Sequence, residues 1–353
     1  MDNYDGIKRD DILENVLQAF EYKGGLYGIS AGFTLSDLLI ANSDVISRDY
    51  SFWNYDEFFS FAENMPEGMC LSPRNSYFAY REGVFQELCA GGYGNWVDYD
   101  NYTCDFNNEE FIRLLNFCNT VEINEPFNQD EMDKLSYEEK EIINIEDDTS
   151  VMNKKSLFGN YVDNIGVCKE FVYTADQNGL YLNDNYTYLI KPSDDRTGSI
   201  SIANDMCFSI ISNTDCPDGA WDFMNYVLSP NFQNNYLQLS WCFTTNKKSY
   251  EHKVNNALDE LRTKVRINLD PMKSNNFLPE TGGIDWINKP ISEEDSEYIK
   301  EFMSHFNKLS DSDSDAQEII REECNKFMNG EMSAEECAER IQNRVSLYLS
   351  EQS

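Results

Sequence analysis

The run "DSDSDAQEIIRE" places Asp311, Asp313, Asp315 and Glu322 at positions 1, 3, 5 and 12 of a calcium-loop pattern, a spacing at which carboxylates can wrap a hard cation. Two departures count against that chemistry. Position 6, where the sharp turn calls for glycine, is Ala316, and position 8 is Glu318 rather than an apolar residue. An acidic loop feeding a helix N-terminus, where negative charge is favoured, accounts for the run equally well. Catalytic constellations are scarcer still. His252 and His305 are the two histidines, neither in an H-E-x-x-H pair, and no G-x-S-x-G, G-x-G-x-x-G or Walker A stretch occurs. With 63 acidic residues, any fold brings two carboxylates together somewhere, so a glycosidase pair cannot be read from their number. These residues describe a chain that is not an enzyme, with no cofactor and no metal assigned.

Ten cysteines (70, 89, 104, 118, 168, 207, 216, 242, 324 and 337) stand far apart without a C-x-x-C. Metal sites announce themselves by close spacing, so buried structural thiols are the expectation. Cys118, Cys324 and Cys337 fall on apolar helix faces, where cysteine acts as a small hydrophobe. Disulfides remain open for an oxidising compartment.

Such residues need a scaffold, and 353 residues exceed what a single core usually fills, which predicts two lobes. Hydrophobic residues at 41% and aromatics at 14% supply the core. The formal charge of −35, with no basic stripe, makes nucleic acid and anionic bilayers poor partners and suits a soluble monomer. No run approaches the roughly 18 apolar residues of a membrane span. Met1 is followed by Asp2, Asn3, Tyr4 and Asp5, with neither a basic nor an apolar leader region. That start fits a cytoplasmic chain, and equally a leader removed or lying upstream.

Helices declare themselves by their caps. In "DFNNEEFIRLLNFCN" Asn107 is the expected cap, Glu110 reaches back to it, and Phe106 staples onto Phe111. In "WNYDEFFSFAENMPEG" Asn54 and Glu57 make the same box, with Phe58, Phe61, Ala62 and Met65 facing inward. Pro217 opens a helix bearing Trp221, Met224 and Val227, and Ser229-Pro230 starts the next. A helix from Ser314 or Asp315 ends at Gly330, and Ser333 with Glu336 caps the last one, which packs Cys337, Ile341, Val345 and Tyr348. Residues 122–150 read as an acidic peripheral segment with one short helix. "GGLYGIS", "NYTYLIKPS" and "SISIANDMCFSIIS" are the best strands, which together with the helices predicts α/β layers.

The succession "GLYGIS", "AGFTLSDLLIANSDV", "FWNYDEFFSFAENMP", "WVDYDNYTCDFNNEEFIRLLNFC", "IKPSDDRTGSISIANDMCFSIIS", "CPDGAWDFMNYVLSPNFQ" and the terminal helix pair resembles the family 1 extracellular solute-binding proteins of ABC sugar importers, the maltose-binding-protein-like group. The likeness covers nearly the whole chain. It implies a two-lobed type II periplasmic-binding-protein fold, with residues 1–30 and 206–310 in lobe 1 and residues 31–205 and 311–353 in lobe 2. Family members carry a leader and several strand–helix units before the equivalent of "LYGIS". The resemblance therefore implies an incomplete first lobe, with "LYGIS" and "CFSIIS" presenting an exposed edge. It also implies an extracellular lipoprotein when complete.

Sugar recognition needs flat aromatic faces against pyranose C–H groups, plus carboxylates and amides for hydroxyls. Trp53, Trp96 and Trp221 sit on apolar stripes or beside caps and read as core. Trp241 and Trp286 lie in loop-like, polar surroundings, while Phe33, Tyr77 and Tyr161 match positions that face the family's cleft. These five are the candidate ligand contacts. The implied function is to bind an oligosaccharide or other small polar solute between the lobes by hinge closure, near Gly28–Gly32 and Ile202–Met206, and to deliver it to membrane permease subunits. A surface glycan sensor or adhesion module on the same fold, or a glycan-acting enzyme, are the alternatives. Neighbouring permease genes would separate importer from sensor, and turnover of a chromogenic glycoside would reveal an enzyme.

Overall fold

A computed structural model describes residues 5–36, 38–72, 80–89, 95–123, 129–148, 156–158, 186–202, 206–237, 242–253, 293–310 and 314–352. The chain begins with α1 (Glu14–Phe20), β1 (Glu21–Tyr22), β2 (Gly25–Leu26), β3 (Ile29–Ser30), β4 (Gly32–Leu35) and β5 (Leu38–Asn42). There follow α2 (Tyr55–Ala62), α3 (Arg81–Cys89), β6 (Val97–Asp98), β7 (Thr103–Cys104), α4 (Glu109–Thr120), α5 (Gln129–Met132) and α6 (Tyr137–Asp148). Next come β8 (Tyr186–Ile190), β9 (Gly198–Ile202), β10 (Cys207–Phe208), α7 (Pro217–Val227), α8 (Pro230–Tyr236) and β11 (Phe243–Thr244). The chain closes with α9 (Glu293–Ser304), β12 (Phe306–Leu309), α10 (Ser314–Met328) and α11 (Ala334–Gln352). The described residues divide into two compact units, one from residues up to 35 and 200–308, the other from 36–158, 186–199 and 309–352.

The first unit is organised on a four-stranded sheet in the order β11-β4-β9-β12. β4 is one of the two inner strands, antiparallel to both neighbours, with Phe33 opposite Phe243 and Ile202. α1 buries Val16, Leu17 and Phe20 and is tied in at its start, where the Leu13 amide donates to the Thr245 carbonyl at 2.9 Å. The preceding segment docks on α7: the Ile7 amide donates to Asn225 Oδ1 at 2.7 Å and the Trp221 indole donates to the Asp5 carbonyl at 2.7 Å. Gly6 makes this possible. Its φ of +106° is a glycine conformation, and a Cβ there would collide with the Asn225 amide. β3 pairs with β10 alone among the described residues, as a two-stranded antiparallel ladder. Tyr27 and Ile211, just outside that ladder, are 69% and 66% exposed.

The second unit packs helices around the five-pair antiparallel ladder of β5 and β8. Its centre is aromatic. Trp53 meets Phe58 edge-on at 5.5 Å, Phe58 stacks on Phe158 at 6.1 Å, and Phe106 meets Phe111 at 4.9 Å. The polar atoms of these rings are satisfied, as burial requires: Trp53 Nε1 donates to the Ile190 carbonyl and the Tyr55 hydroxyl to the Leu88 carbonyl. Trp53, Trp96 and Trp221 are all buried, as their apolar settings predict. Along the outer seam of α10 and α11, the buried Glu323 carboxylate is held by Lys326 and Arg344 at 2.7 Å each. Burial opposes its ionisation, and those two cations more than offset it, leaving its pKa below the usual carboxylate range.

Most expected caps are present. Asn54 and Glu57 form the reciprocal box on α2, Pro217 opens α7, Ser229 caps α8 and Ser333 accepts from the Glu336 amide. Gly330, at φ +78°, closes α10 as its amide donates to the Phe327 carbonyl. Three expectations are corrected. The cap of α4 is Asn108, whose Oδ1 accepts from the Phe111 amide at 2.8 Å, not Asn107. Glu110 then occupies the second helical position, one short of the site from which a side chain returns to the cap. The Phe106–Phe111 contact forms nonetheless. Among its described residues the 122–150 segment carries two helices, α5 and α6, rather than one. "CFSIIS" contributes only the two residues of β10 to a ladder.

Candidate functional site

The first unit holds a cavity of about 500 Å³ between α1, β4, α9 and the helical residues 247–253. Leu13, Phe33, Tyr250 and Met303 supply its apolar floor, and Glu14, Gln18, Lys247, Glu251, Lys300 and Ser304 its rim. Each wall is fixed by a specific device. Asn15 is buried and spends its side-chain amide on the carbonyls of Met303 and Phe306, at 3.2 and 3.0 Å, locking α1 to the end of α9. Asn246 accepts from the amides of Lys248 and Ser249, starting the helical turn that presents Lys247, Tyr250 and Glu251.

Behind this turn lies a buried polar lattice. Gln233, fully enclosed, donates to Thr245 Oγ1 at 3.0 Å and accepts from the Asn246 amide at 2.9 Å. The Lys253 ammonium donates to the carbonyls of Gln233 and Leu237, where α8 ends. Burial lowers its pKa to about 8, and burial raises the neighbouring Cys242 thiol to about 11. The lattice leaves the turn little freedom, so the rim charges sit on a rigid base.

The rim balances itself: two carboxylates, Glu14 and Glu251, face two ammonium groups, Lys247 and Lys300. On a chain of charge −35 that neutrality is local. An apolar floor with two carboxylates and two ammonium groups at the rim suits a neutral, hydroxyl-rich molecule better than an ion.

Of the five ligand contacts expected from the sequence, Tyr77, Tyr161, Trp241 and Trp286 lie outside the described residues. Phe33 lines the cavity but is itself fully buried, its ring 5.5 Å from that of Phe243. A ligand would reach its face only if a neighbouring side chain yielded. Tyr250, Lys247, Glu251 and Lys300 were not singled out by sequence reasoning. The one signal for the first three was "TNKKSYE", an asparagine cap followed by a short basic run ahead of an aromatic. The acidic run at 311–315 is described only from Ser314 onward. Among the described residues no group of three or more His, Cys, Asp or Glu is arranged to hold a metal.

In the second unit one polar cluster departs from ordinary surface behaviour. Burial, and then the facing carboxylate of Asp194, raise the pKa of Glu110 to about 7, with Asp56 adding to the repulsion. Arg113 holds Asp56 at 2.8 Å and Glu63 at 3.1 Å.

Comparison with known proteins places this architecture. The sugar-binding protein MalE from Xanthomonas citri is 12% identical, with a TM-score of 0.51 over 99% of this chain and 78% of its own. An extracellular solute-binding protein family 1 member from Alicyclobacillus acidocaldarius gives 12%, 0.51, 99% and 78%. At such identity the likeness shows the fold, that of type II periplasmic-binding proteins. No curated protein matches the sequence. The model of the bacterial extracellular solute-binding protein family matches residues 1–263, three-quarters of the chain, and this chain belongs to that family.

Proposed function

We propose that this protein binds a neutral oligosaccharide and delivers it, as the substrate-binding component of an ABC importer, to permease subunits in the membrane. The observation that carries the reading is the cavity of the first unit, with Phe33 and Tyr250 in its floor and a charge-balanced rim. Family membership supports a binding role over catalysis, and the sugar-binding MalE among the similar structures supports the ligand class. The described chain passes between the units at residues 35–36, 199–200 and 308–309, and torsion there and at Gly28–Gly32 and Ile202–Met206 would let the units close on the ligand. Ligand contacts from Tyr77, Tyr161, Trp241 and Trp286 belong to the same proposal, as does an extracellular, membrane-anchored location.

The test is isothermal titration against a panel of neutral oligosaccharides, with Glu251→Gln and Lys300→Ala as rim variants. Both residues are exposed, so the variants fold. Loss of one hydrogen bond on the ligand is expected to weaken binding about fivefold. Silence across the panel, or binding indifferent to both variants, sinks the assignment of this cavity. Co-purification of the sugar-loaded protein with permease subunits tests the importer role, and its failure beside intact sugar binding favours the sensor.

A further inference from the structure

Between Asp222 and Lys247 the chain carries 24 consecutive residues without a charge, the longest such run in the sequence, where a composition of 26% charged residues would put about six. Part of that run is the buried lattice behind the cavity, which has no room for charge. The rest lies on the surface. On α7, Phe223 and Tyr226 are 54% and 45% exposed, and on α8 Asn231, Asn235 and Tyr236 are all exposed. The outer face of a surface helix ordinarily carries charged groups, and this one presents aromatic rings and amides instead.

The rings support one another. The half-buried Phe232 meets Tyr226 edge-on at 5.3 Å and Tyr236 at 5.2 Å, so one ring props two exposed ones. Phe223, one turn before Tyr226, leans on Phe208 at 5.6 Å. Beside them, two amides are oriented by local bonds. Asn235 Nδ2 donates to the carbonyl and to Oδ1 of Asn231, at 2.8 and 3.1 Å, which leaves Asn235 Oδ1 as an acceptor and Asn231 Nδ2 as a donor.

We propose that this α7–α8 face is a second carbohydrate site that holds a neutral glycan chain, stacking pyranose C–H faces on Tyr226 and Tyr236 while Asn231 and Asn235 bond its hydroxyls. Charge selects the occupant. A cationic partner is drawn to the acidic remainder of a −35 chain and finds no counter-charge here. An anionic partner, or a second copy bringing another −35, is repelled by that remainder. A neutral polyhydroxylated chain is indifferent to the field, and exposed aromatic faces with amides beside them are the groups that retain it. The site shares none of the cavity's lining residues, so either can bind without the other.

The test is native electrophoresis of the full chain in gels containing glycogen, pullulan, galactomannan or mixed-linkage β-glucan, beside a non-binding reference protein. These polymers are uncharged, so retardation relative to the reference reports binding. Wild type is expected to be retarded by at least one of the four, and Tyr226→Ala/Tyr236→Ala to need about tenfold more polymer for the same retardation. Both tyrosines are exposed, so the variant keeps the fold. Tyr226→Phe/Tyr236→Phe keeps both ring faces and is expected to be retarded like the wild type. Retardation by none of the four, retardation that survives the alanine pair, or equal loss in the phenylalanine pair overturns the site. Sedimentation velocity reads the rival occupant: a wild-type dimer at micromolar concentration that the alanine pair abolishes would assign the face to a second copy and refute the glycan.

Discussion

Glu110 stands in the first turn of α4, where a carboxylate is ordinarily favoured, yet its side chain is half-buried and faces the carboxyl of Asp194. Burial, and then the like charge of that carboxyl, raise the pKa of Glu110 to about 7. The consequence for stability has a definite sign. Between the ordinary carboxylate value of 4.5 and about 7 the folded state binds more protons than the unfolded one, so stability falls as pH rises through that window and stays lower above it. Glu110→Gln removes the repulsion. The Tm of the variant relative to wild type is expected to climb from pH 5 to pH 8. A difference that stays flat with pH would show that the Glu110 carboxyl is not raised in the folded state. Nothing in the sequence gives this away, because Asp194 is 84 positions distant and becomes a neighbour only when the chain folds. The same holds for the cavity. Phe33 was legible as a candidate because it matches a position facing the family's cleft, whereas Lys300 and Glu14 are ordinary surface residues until α1 and α9 are brought together by Asn15.

Elements whose signals are local were read almost in full. The box on α2, the prolines opening α7 and α8 and the glycine ending α10 each work through atoms within four residues, so residue types alone suffice. α4 shows the limit. Its cap lies in the doublet Asn107-Asn108, either of which can accept from a helical amide, and the choice follows from where Phe106 and Phe111 meet in the core. Asn108→Ala is expected to cost about 1 kcal/mol in urea-unfolding free energy, and Asn107→Ala less than about 0.5 kcal/mol. Equal losses would mean that the cap is shared. Strands were less legible for a physical reason. β3, β10 and β11 are two residues long and exist only through partners far along the chain, so a two-residue period has no room to show. Ile29 and Ser30 of β3 are buried, while Tyr27 and Ile211, outside the β3–β10 pair, are exposed. Among the described residues the second half of "CFSIIS" joins no ladder.

For the whole molecule, the order of elements carried more than any motif: a succession of seven stretches pointed to a fold that similar structures share at 12% identity. Packing tolerates exchange of one apolar residue for another provided that pattern and volume hold, so order survives where identity does not. Charge separates stability from binding at the same scale. A chain of −35 repels itself, and salt screens that repulsion over about 10 Å at 0.1 M. Raising sodium chloride from 10 to 300 mM is therefore expected to increase the Tm by several degrees. The cavity should behave otherwise. Its two carboxylates and two ammonium groups leave little net field for a neutral ligand to sense, so oligosaccharide affinity measured over the same range should change less than about twofold. A tenfold change would mean that the bound molecule is charged and that the surrounding acidity, rather than the aromatic floor, selects it. Since the two responses are measured on one sample, a shift in stability with constant affinity would tie the ligand to the balanced rim rather than to the surface at large.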